Sequence, residues 1–404
     1  ICYMQGIDEI NTEEGLWRLE EYYNYHHRFS PACTNHTLQQ QDLYKFITTH
    51  TRRGRFYTPI AFLNGRHDGW RTFGRGGNTW GINEFGFTDV EKAWDILTYY
   101  YPKSVLDALY VHNCPTDREV GYYSGTPYGN VDIIPIEADD YSKYRLLIAP
   151  GYNKAEKEDV EKLEKYVDNG GVLMIGWPQL STTTNREKVT NYEHTYYGNM
   201  DKTFVCDTYC SHPVSVSEDV EYDSVLVYTD SNRPLVVLKK MGKGLVCFVN
   251  AKEYVSKPAV DLAYRQALKK LTDECLEVES IYAKGDRNVQ FTVFECEDGS
   301  REIYFIATDW HKPNPDGVGT LVVKNNEYAI NVPWGQMVKV YARNDSAVYP
   351  VKDENEVVYF DGTTARVQGC GLAEFVLCKD GVCKKATVDF SDVSVKEISV
   401  SDFN

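Results

Sequence analysis

The stretch GNVDIIPIEADDYSKYRLLIAPGYNKAEKEDVEKLEKYVDNGGVLMIG, residues 129–176, decides the fold. Val131, Ile133, Ile134 and Ile136 form a first apolar run, and residues 146–149 a second, closed by Pro150-Gly151. Short apolar runs bounded by turn residues predict strands buried on both faces of a parallel sheet. Between Ala155 and Asp168 the period changes. Val160, Leu163 and Val167 fall at i, i+3 and i+7, with Glu and Lys on the other side, which predicts an amphipathic helix. Gly170-Gly171 follows, where a left-handed cap is favoured, and residues 172–175 form the next buried strand. Strand, strand, helix, strand is a piece of an open α/β layer.

Toward the N-terminus, residues 56–63 predict another strand, with Pro59 placing it at an edge or a strand start. Arg52-Arg53-Gly54-Arg55 marks a boundary before it. Residues 64–87 are a long loop with seven Gly and two Trp; a loop of this length inside a compact domain is usually functional or disordered, and the aromatics disfavour disorder. Thr88-Asp-Val-Glu91 is a capping box that predicts a helix carrying Val90, Trp94 and Leu97. Residues 106–111 fit a helix or a strand. Residues 1–54 predict a strand over 1–7, a helix with Leu16, Leu19 and Tyr23 on one face, and a second helix with Leu43, Phe46 and Ile47 inward. One strand and two helices cannot close a domain. This segment reads as the last βα unit of a larger α/β body such as a (β/α)8 barrel, and a start in mid-strand at Ile1 suggests a missing N-terminal portion.

Toward the C-terminus, 177–222 is polar and loop-like, with strands whose bounds the pattern does not define. Strands are predicted over 224–228, 235–239 and 245–249, then a helix from about Pro258 to Cys275 with Val260, Ala263, Ala267, Leu268 and Leu271 inward. Beyond 276 the period becomes two, as in Val289, Phe291 and Val293 or Ile303, Phe305 and Ala307, with turn clusters between runs. Strands at this spacing predict a β-sandwich. The expected fold is α/β plus all-β: a flavodoxin- or amidotransferase-like parallel sheet over 55–276, a sandwich over 277–404, and the barrel piece over 1–54.

With 404 residues the chain is long enough for two or three domains. A formal net charge of −16 and the lack of a Lys/Arg tract argue against a nucleic-acid partner. No run approaches the ~18 apolar residues of a membrane span. The 31 Tyr, 16 Phe and 7 Trp suit flat polar ligands such as sugars, and equally suit cores and interfaces. The 11 Cys cannot all pair within the chain. Cys378 and Cys383 bracket Lys-Asp-Gly-Val, where a hairpin disulfide is conceivable, and the rest read mostly as buried thiols. The compartment stays open, with periplasmic or extracellular favoured over cytoplasmic.

Three kinds of chemistry are open to such a chain. A phosphate or dinucleotide loop is disfavoured, since Gly74-Arg-Gly-Gly77 lies in a loop and opens no helix. A cysteine hydrolase needs its nucleophile at a strand-to-helix elbow. The elbow after residue 176 carries Trp177-Pro178, and Pro178 has no N–H to offer an oxyanion. Glycoside hydrolysis needs two carboxyl groups flanking one bond. Asp8 and Glu9, at the C-terminal end of the first strand, are the candidates, because barrel enzymes keep their sites there. Equally, acids at that position, Glu13 and Glu14 above all, can simply favour a helix N-terminus. Tyr3 and Gln5 beside them, and His67, Asp68, Trp70 and Trp80 in the long loop, are candidate sugar-binding residues. His26-His27 splay apart on a helix and suit packing better than a metal.

The order of domains, carried by RGRFYTPIAFL (53–63), YSKYRLLIAPGYNKAEKEDVEKLEKYVDNGGVLMIG (141–176), GKGLVCFVN (242–250) and TPYGNVDII (126–134), resembles the C-terminal part of β-galactosidases of glycoside hydrolase family 42. The resemblance runs over roughly residues 55–380. It implies a catalytic barrel, an amidotransferase-like trimerisation domain and a small β-sandwich, in that order. It also implies two catalytic glutamates on earlier barrel strands that this chain does not contain, so neither can be assigned here. The expectation is a glycoside hydrolase, or the C-terminal half of one, acting on an oligo- or polysaccharide. No cofactor, metal, nucleic acid or membrane is expected. A homo-oligomer, or association with a missing N-terminal barrel portion, is. The alternative is a non-catalytic carbohydrate-binding or assembly scaffold.

Overall fold

The computed structural model describes most of residues 124–307 and 317–404, together with 54–65, 93–100, short strands at 103–105 and 119–121, and four positions within 41–48. Those four, Gln41, Tyr44, Ile47 and Thr48, are helical, as the second N-terminal helix requires; the rest of the expected barrel unit lies outside the described residues. The chain forms two compact units. One is Thr58–Glu279 and the other joins Ser280–Asn404 to the segment ending at Tyr57.

The first unit is built on a seven-stranded sheet. Its strands are β1 (Ile60–Asn64), β2 (Val131–Pro135), β3 (Leu146–Ile148), β4 (Val172–Gly176), β5 (Ser224–Tyr228), β6 (Pro234–Met241) and β7 (Gly244–Val249), in the spatial order β5-β6-β7-β4-β3-β1-β2. The strands β2, β1, β3, β4 and β7 run parallel, and β6 and β5 extend the sheet antiparallel. Order 2-1-3-4 followed by the late strand is the doubly wound, flavodoxin-like arrangement. Residues 60–63 of β1 and 146–148 of β3 are fully buried, as a strand covered by helices on both faces must be.

Helix α1 (Lys157–Asp168) lies on one face, with Leu163, Tyr166 and Val167 against Ala61, Leu147, Leu173 and Ile175. Helix α2 (Trp177–Leu180) is a single turn after β4. The long helix α3 (Pro258–Cys275) covers the other face, with Val260, Ala263, Ala267, Leu268 and Leu271 in one cluster with Ile60, Ile148, Met174 and Val249. Alternate sheet residues thus feed two separate cores, as the period of two requires. The turn after α1 is tight: Gly170 has φ +112°, and a Cβ on Gly171 would stand 2.2 Å from the Tyr166 ring.

Three expectations are corrected here. Strand β2 is not buried on both faces. It is the sheet edge, and Ile133 is 48% exposed while Val131 is buried. The predicted strand over 56–63 is two strands: Pro59 interrupts it, Arg55–Phe56 pairs with Val289–Glu295 in the second unit, and Ile60 opens β1. The segment 177–222, read as loop-like with undefined strands, is more regular than that. It contains two hairpins, Thr184–Val189 with Tyr192–Tyr197 and Phe204–Tyr209 with His212–Ser217. The second turns at Cys210 and Ser211, both at positive φ, although neither is Gly or Asn. The Asp230 carboxylate accepts from both of their N–H groups at 3.1 and 3.2 Å, and holds the turn from outside the hairpin. The capping box at 88–91 lies outside the described residues; the turn that follows is a 3-10 helix, Trp94–Tyr99, with Ile96 in the core.

From residue 55 on, the described part of the second unit is all-β apart from one 3-10 turn, Val400–Asp402. Its central seven-stranded sheet runs Arg55–Phe56, Val289–Glu295, Arg301–Ala307, Met337–Arg343, Ser346–Pro350, Leu372–Lys379 and Val382–Asp389. The expected sandwich is present with one more layer. Ile281–Lys284, Gly317–Val323 and Asn326–Val332 form a three-stranded sheet whose Leu321, Ile330 and Val332 meet Phe305, Val340, Ala347 and Val376. Glu356–Phe360, Thr364–Gln368 and Val395–Ser399 form another, whose Val357, Phe360 and Val367 meet Tyr341, Val348, Phe375 and Leu377. Neighbouring residues of one strand, such as Val340 and Tyr341, thus serve opposite faces.

Cys378 and Cys383 face each other across the last hairpin and form a disulfide, with Cα atoms 4.3 Å apart. The described free cysteines are not all buried: Cys247 and Cys296 are, whereas Cys206, Cys210 and Cys370 are exposed.

Candidate functional site

In a doubly wound sheet the place to look is the C-terminal edge of the parallel strands, where the chain leaves β1 to one side and β3 to the other. Strand β1 ends at Asn64, β3 leads into Ala149-Pro150-Gly151, β4 into Trp177 and β7 into Asn250. Four side chains close this edge. Gln179, buried in α2, accepts from the Gly176 N–H at 3.0 Å and donates to the Gly151 carbonyl at 2.8 Å, tying the ends of β3 and β4 together. Asn250 is fully buried. Its Oδ1 accepts from the Trp177 indole N–H at 2.8 Å and the Ser217 N–H at 3.3 Å, and its Nδ2 donates to the Ser217 and Pro234 carbonyls, each at 2.8 Å. Tyr264 of α3 donates to the Ala149 carbonyl at 3.2 Å, and burial pushes its hydroxyl well above the usual tyrosine range.

The position a nucleophile would take is therefore held by Trp177, whose ring stands edge-on to Phe248 with centroids 4.6 Å apart. Both polar atoms of the Asn250 side chain are used within the fold, and Gln179 is engaged at both ends of its amide. Amides so engaged orient backbone; they offer no nucleophile, acid or base. The sequence reading singled out the elbow but passed over Gln179, Asn250 and Tyr264. The signals available were a Gln one turn beyond a buried strand and an Asn closing the apolar run LVCFV.

A cavity of about 450 Å³ opens at the other end of the sheet, between the loop 139–145 and the C-terminal half of α1. Asp139, Asp140, Arg145, Lys162, Lys165 and Asn169 line it. Its two acids are sequence neighbours, whereas glycoside hydrolysis needs carboxyls on two sides of one bond. Ser142 donates to the Asp140 carboxylate from its hydroxyl and its N–H, at 2.7 and 2.8 Å, and holds that carboxyl below the usual range. Tyr144, whose ring lines the inner wall, donates to Asp132 at 2.7 Å, and burial followed by this bond raises its hydroxyl. Among the described residues no three of His, Cys, Asp and Glu converge as metal ligands, and no helix is long and apolar enough to cross a membrane.

The catalytic candidates Asp8 and Glu9, and the sugar-binding candidates Tyr3, Gln5, His67, Asp68, Trp70 and Trp80, lie outside the described residues. In sequence, the last four belong to the loop that leaves β1 after Asn64.

Comparison with known proteins bears on the sheet just described. Residues 129–208 match the family model of the β-galactosidase trimerisation domain. The match begins at Gly129, before β2, spans α1, β4 and α2, and bears out the resemblance to the C-terminal part of family 42 β-galactosidases. Among solved structures, a β-galactosidase from the Antarctic haloarchaeon Halorubrum lacusprofundi aligns over 74% of this chain and 42% of its own, with 15% identity and a TM-score of 0.39. One from Bacillus circulans sp. alkalophilus aligns over 71% and 42%, with 13% identity and a TM-score of 0.38. An α-L-fucosidase from Paenibacillus thiaminolyticus aligns over 85% and 47%, with 10% identity and a TM-score of 0.31. The chain thus spans less than half the length of these solved proteins. No curated protein matches it.

Proposed function

We propose that this chain is the assembly portion of a glycoside hydrolase of the family 42 type. Its α/β unit acts as an oligomerisation scaffold, and a barrel supplies the chemistry. The observation that carries this reading is the match of residues 129–208 to a trimerisation domain. It is supported by the closed strand edge, where Trp177, Gln179 and Asn250 are spent on one another and on backbone. Hydrolysis then proceeds by two-carboxylate acid/base catalysis, with at least one carboxyl outside this chain. Asp8 and Glu9 are proposed to stand at the barrel end of the first strand, with Tyr3 and Gln5 binding sugar beside them. The 64–87 loop, with His67, Asp68, Trp70 and Trp80, is proposed to cover the mouth of its own or a neighbouring barrel. The Cys378–Cys383 disulfide favours a periplasmic or extracellular location.

The test has two arms. Sedimentation of the chain should give a homo-oligomer, a trimer on this reading, and a monomer at micromolar concentration would overturn the scaffold. Chromogenic glycosides, β-galactosides first, should be turned over by a protein joining this chain to its barrel and not by residues 55–404 alone. Turnover by 55–404 would place the chemistry inside the two described units and defeat the reading. In the joined protein, Trp70→Ala and Trp80→Ala should raise KM; unchanged sugar binding and turnover in both would remove the loop from the site.

A further inference from the structure

At the end of the sheet opposite the closed strand edge, the cavity between the loop 139–145 and α1 keeps polar groups that the fold does not use. Arg145 directly precedes β3 and Gly171 directly precedes β4, so the cavity lies at the N-terminal ends of those strands. Much of its lining is committed. Lys162 donates from Nζ to the Ile136 and Ala138 carbonyls at 3.3 and 3.2 Å. Arg145 pairs with Glu279 at 3.2 Å, and Ser142 holds the Asp140 carboxylate through two bonds. The hydroxyl of Tyr141 donates to the Ile136 carbonyl, that of Tyr144 to Asp132, and that of Tyr166 to the Tyr144 and Val172 carbonyls. With their hydroxyls engaged, these three tyrosines offer the cavity their rings.

Three lining side chains are left over. Among the described residues, the Asp139 carboxylate, the Lys165 ammonium and the Asn169 amide make no hydrogen bond. All three are exposed, and on a flat surface they would simply be solvated. Here they rim a concavity of about 450 Å³ with a tyrosine wall. That volume falls within the range of small-ligand pockets, about 300–1,000 Å³.

The charges around it balance. Asp139 and Asp140 are matched by Lys162 and Lys165, and Arg145 is answered by Glu279. Lys165 lies close enough to Asp140 to help hold that carboxyl down, after the bonds from Ser142. A balanced cavity has no net field to concentrate an ion. A carboxylate that accepts, an ammonium that donates and an amide that does both match the hydroxyls of a neutral polyol, each of which can donate and accept. Tyrosine rings supply apolar area for the C–H face of such a ligand.

We propose that this cavity is a non-catalytic saccharide site. It takes a neutral mono- or disaccharide, with Asp139, Lys165 and Asn169 on the hydroxyls and the tyrosine wall against the C–H face. Its two acids are sequence neighbours, so it binds a glycoside without cleaving it. The choice of a saccharide among neutral polyols rests on the glycoside-hydrolase reading above, whereas the neutral, polar character of the ligand rests on the cavity alone. The loop 64–87 leaves β1 at the opposite edge of the sheet, so this site tethers sugar apart from that loop.

Saturation-transfer NMR of the full chain with lactose and with methyl β-galactoside tests the site. Both sugars should receive signal from the protein and compete with each other, and inorganic phosphate should displace neither. The dissociation constant should rise about tenfold in Asp139→Ala and in Asn169→Ala, as expected for one hydrogen bond lost at each. Both variants change exposed side chains without partners, so the urea midpoint should stay at the parent value. Trp70→Ala, in the loop at the other edge, should leave this affinity unchanged. No transfer to either sugar, equal affinity in the parent and both cavity variants, or displacement by phosphate would overturn the proposal. The spectra read no turnover. A failure here therefore leaves the barrel-driven hydrolase standing, and a joined protein inactive on every glycoside would sink that reading without deciding this one.

Discussion

The two units bury polar side chains in different currencies, amides in one and charges in the other. At the strand edge of the α/β unit the buried groups are Gln179 and Asn250, neutral amides whose donors and acceptors are matched by backbone and by Trp177. In the all-β unit they are Glu302, Lys339 and Glu356, charged side chains in contact. A matched amide is insensitive to pH and specifies geometry. A buried ion cluster that joins two sheets holds them only while each charge keeps its partner.

Four substitutions sharpen or break this contrast. Lys339→Met should be the most damaging, because it leaves two carboxyls facing each other without their cation. A loss of about 3–5 kcal/mol is expected in the all-β transition by urea unfolding, with the α/β transition unmoved. A loss below ~1 kcal/mol would mean the cluster is already relaxed by water, and the contrast would fail. Asn250→Ala strips partners from the Trp177 indole and from backbone groups of Ser217 and Pro234. It should cost about 2–3 kcal/mol in the α/β transition, equally at pH 5 and pH 9. A pH-dependent loss would count against the neutral-amide account. Gly244→Ala would set a Cβ 2.2 Å from the carbonyl oxygens of both Gly171 and Val167, which are backbone and cannot swing away. About 2 kcal/mol is expected, read as a lower urea midpoint for the α/β unit alone. Tyr144→Phe removes one partly buried bond to Asp132 and should cost about 1 kcal/mol, with sedimentation showing whether the nearby cavity also matters to assembly.

The helices were legible because their period is local. Residues 157–168 and 258–275 lie where Val160, Leu163, Val167 and the Ala-rich stripe of α3 place them, and Lys257-Pro258 starts α3 where proline has no N–H to lose. The hairpin 204–217 was not legible. Its turn uses Cys210 and Ser211 at positive φ, and what makes that tolerable is Asp230, which no window around the turn contains. Strand Glu356–Phe360 was missed for a similar reason. Its first residue, Glu356, is buried only because Lys339 comes from another sheet to meet it. At the candidate site the elbow Trp177-Pro178 could be read in sequence as lacking a nucleophile, but the role of Asn250 required knowing that β7 lies beside β4.

By itself, then, the sequence determined the alternation of strands and helices through 129–176, the closing helix and the change to period two beyond 276. Each of these follows from side-chain spacing along one backbone. Tertiary structure alone decided that β2 is an edge, that Arg55–Phe56 joins a sheet some 235 residues away in sequence, and that the last unit has three layers. Those outcomes depend on which strands pair. Pairing is set by the burial that distant segments offer one another, and no local period records it.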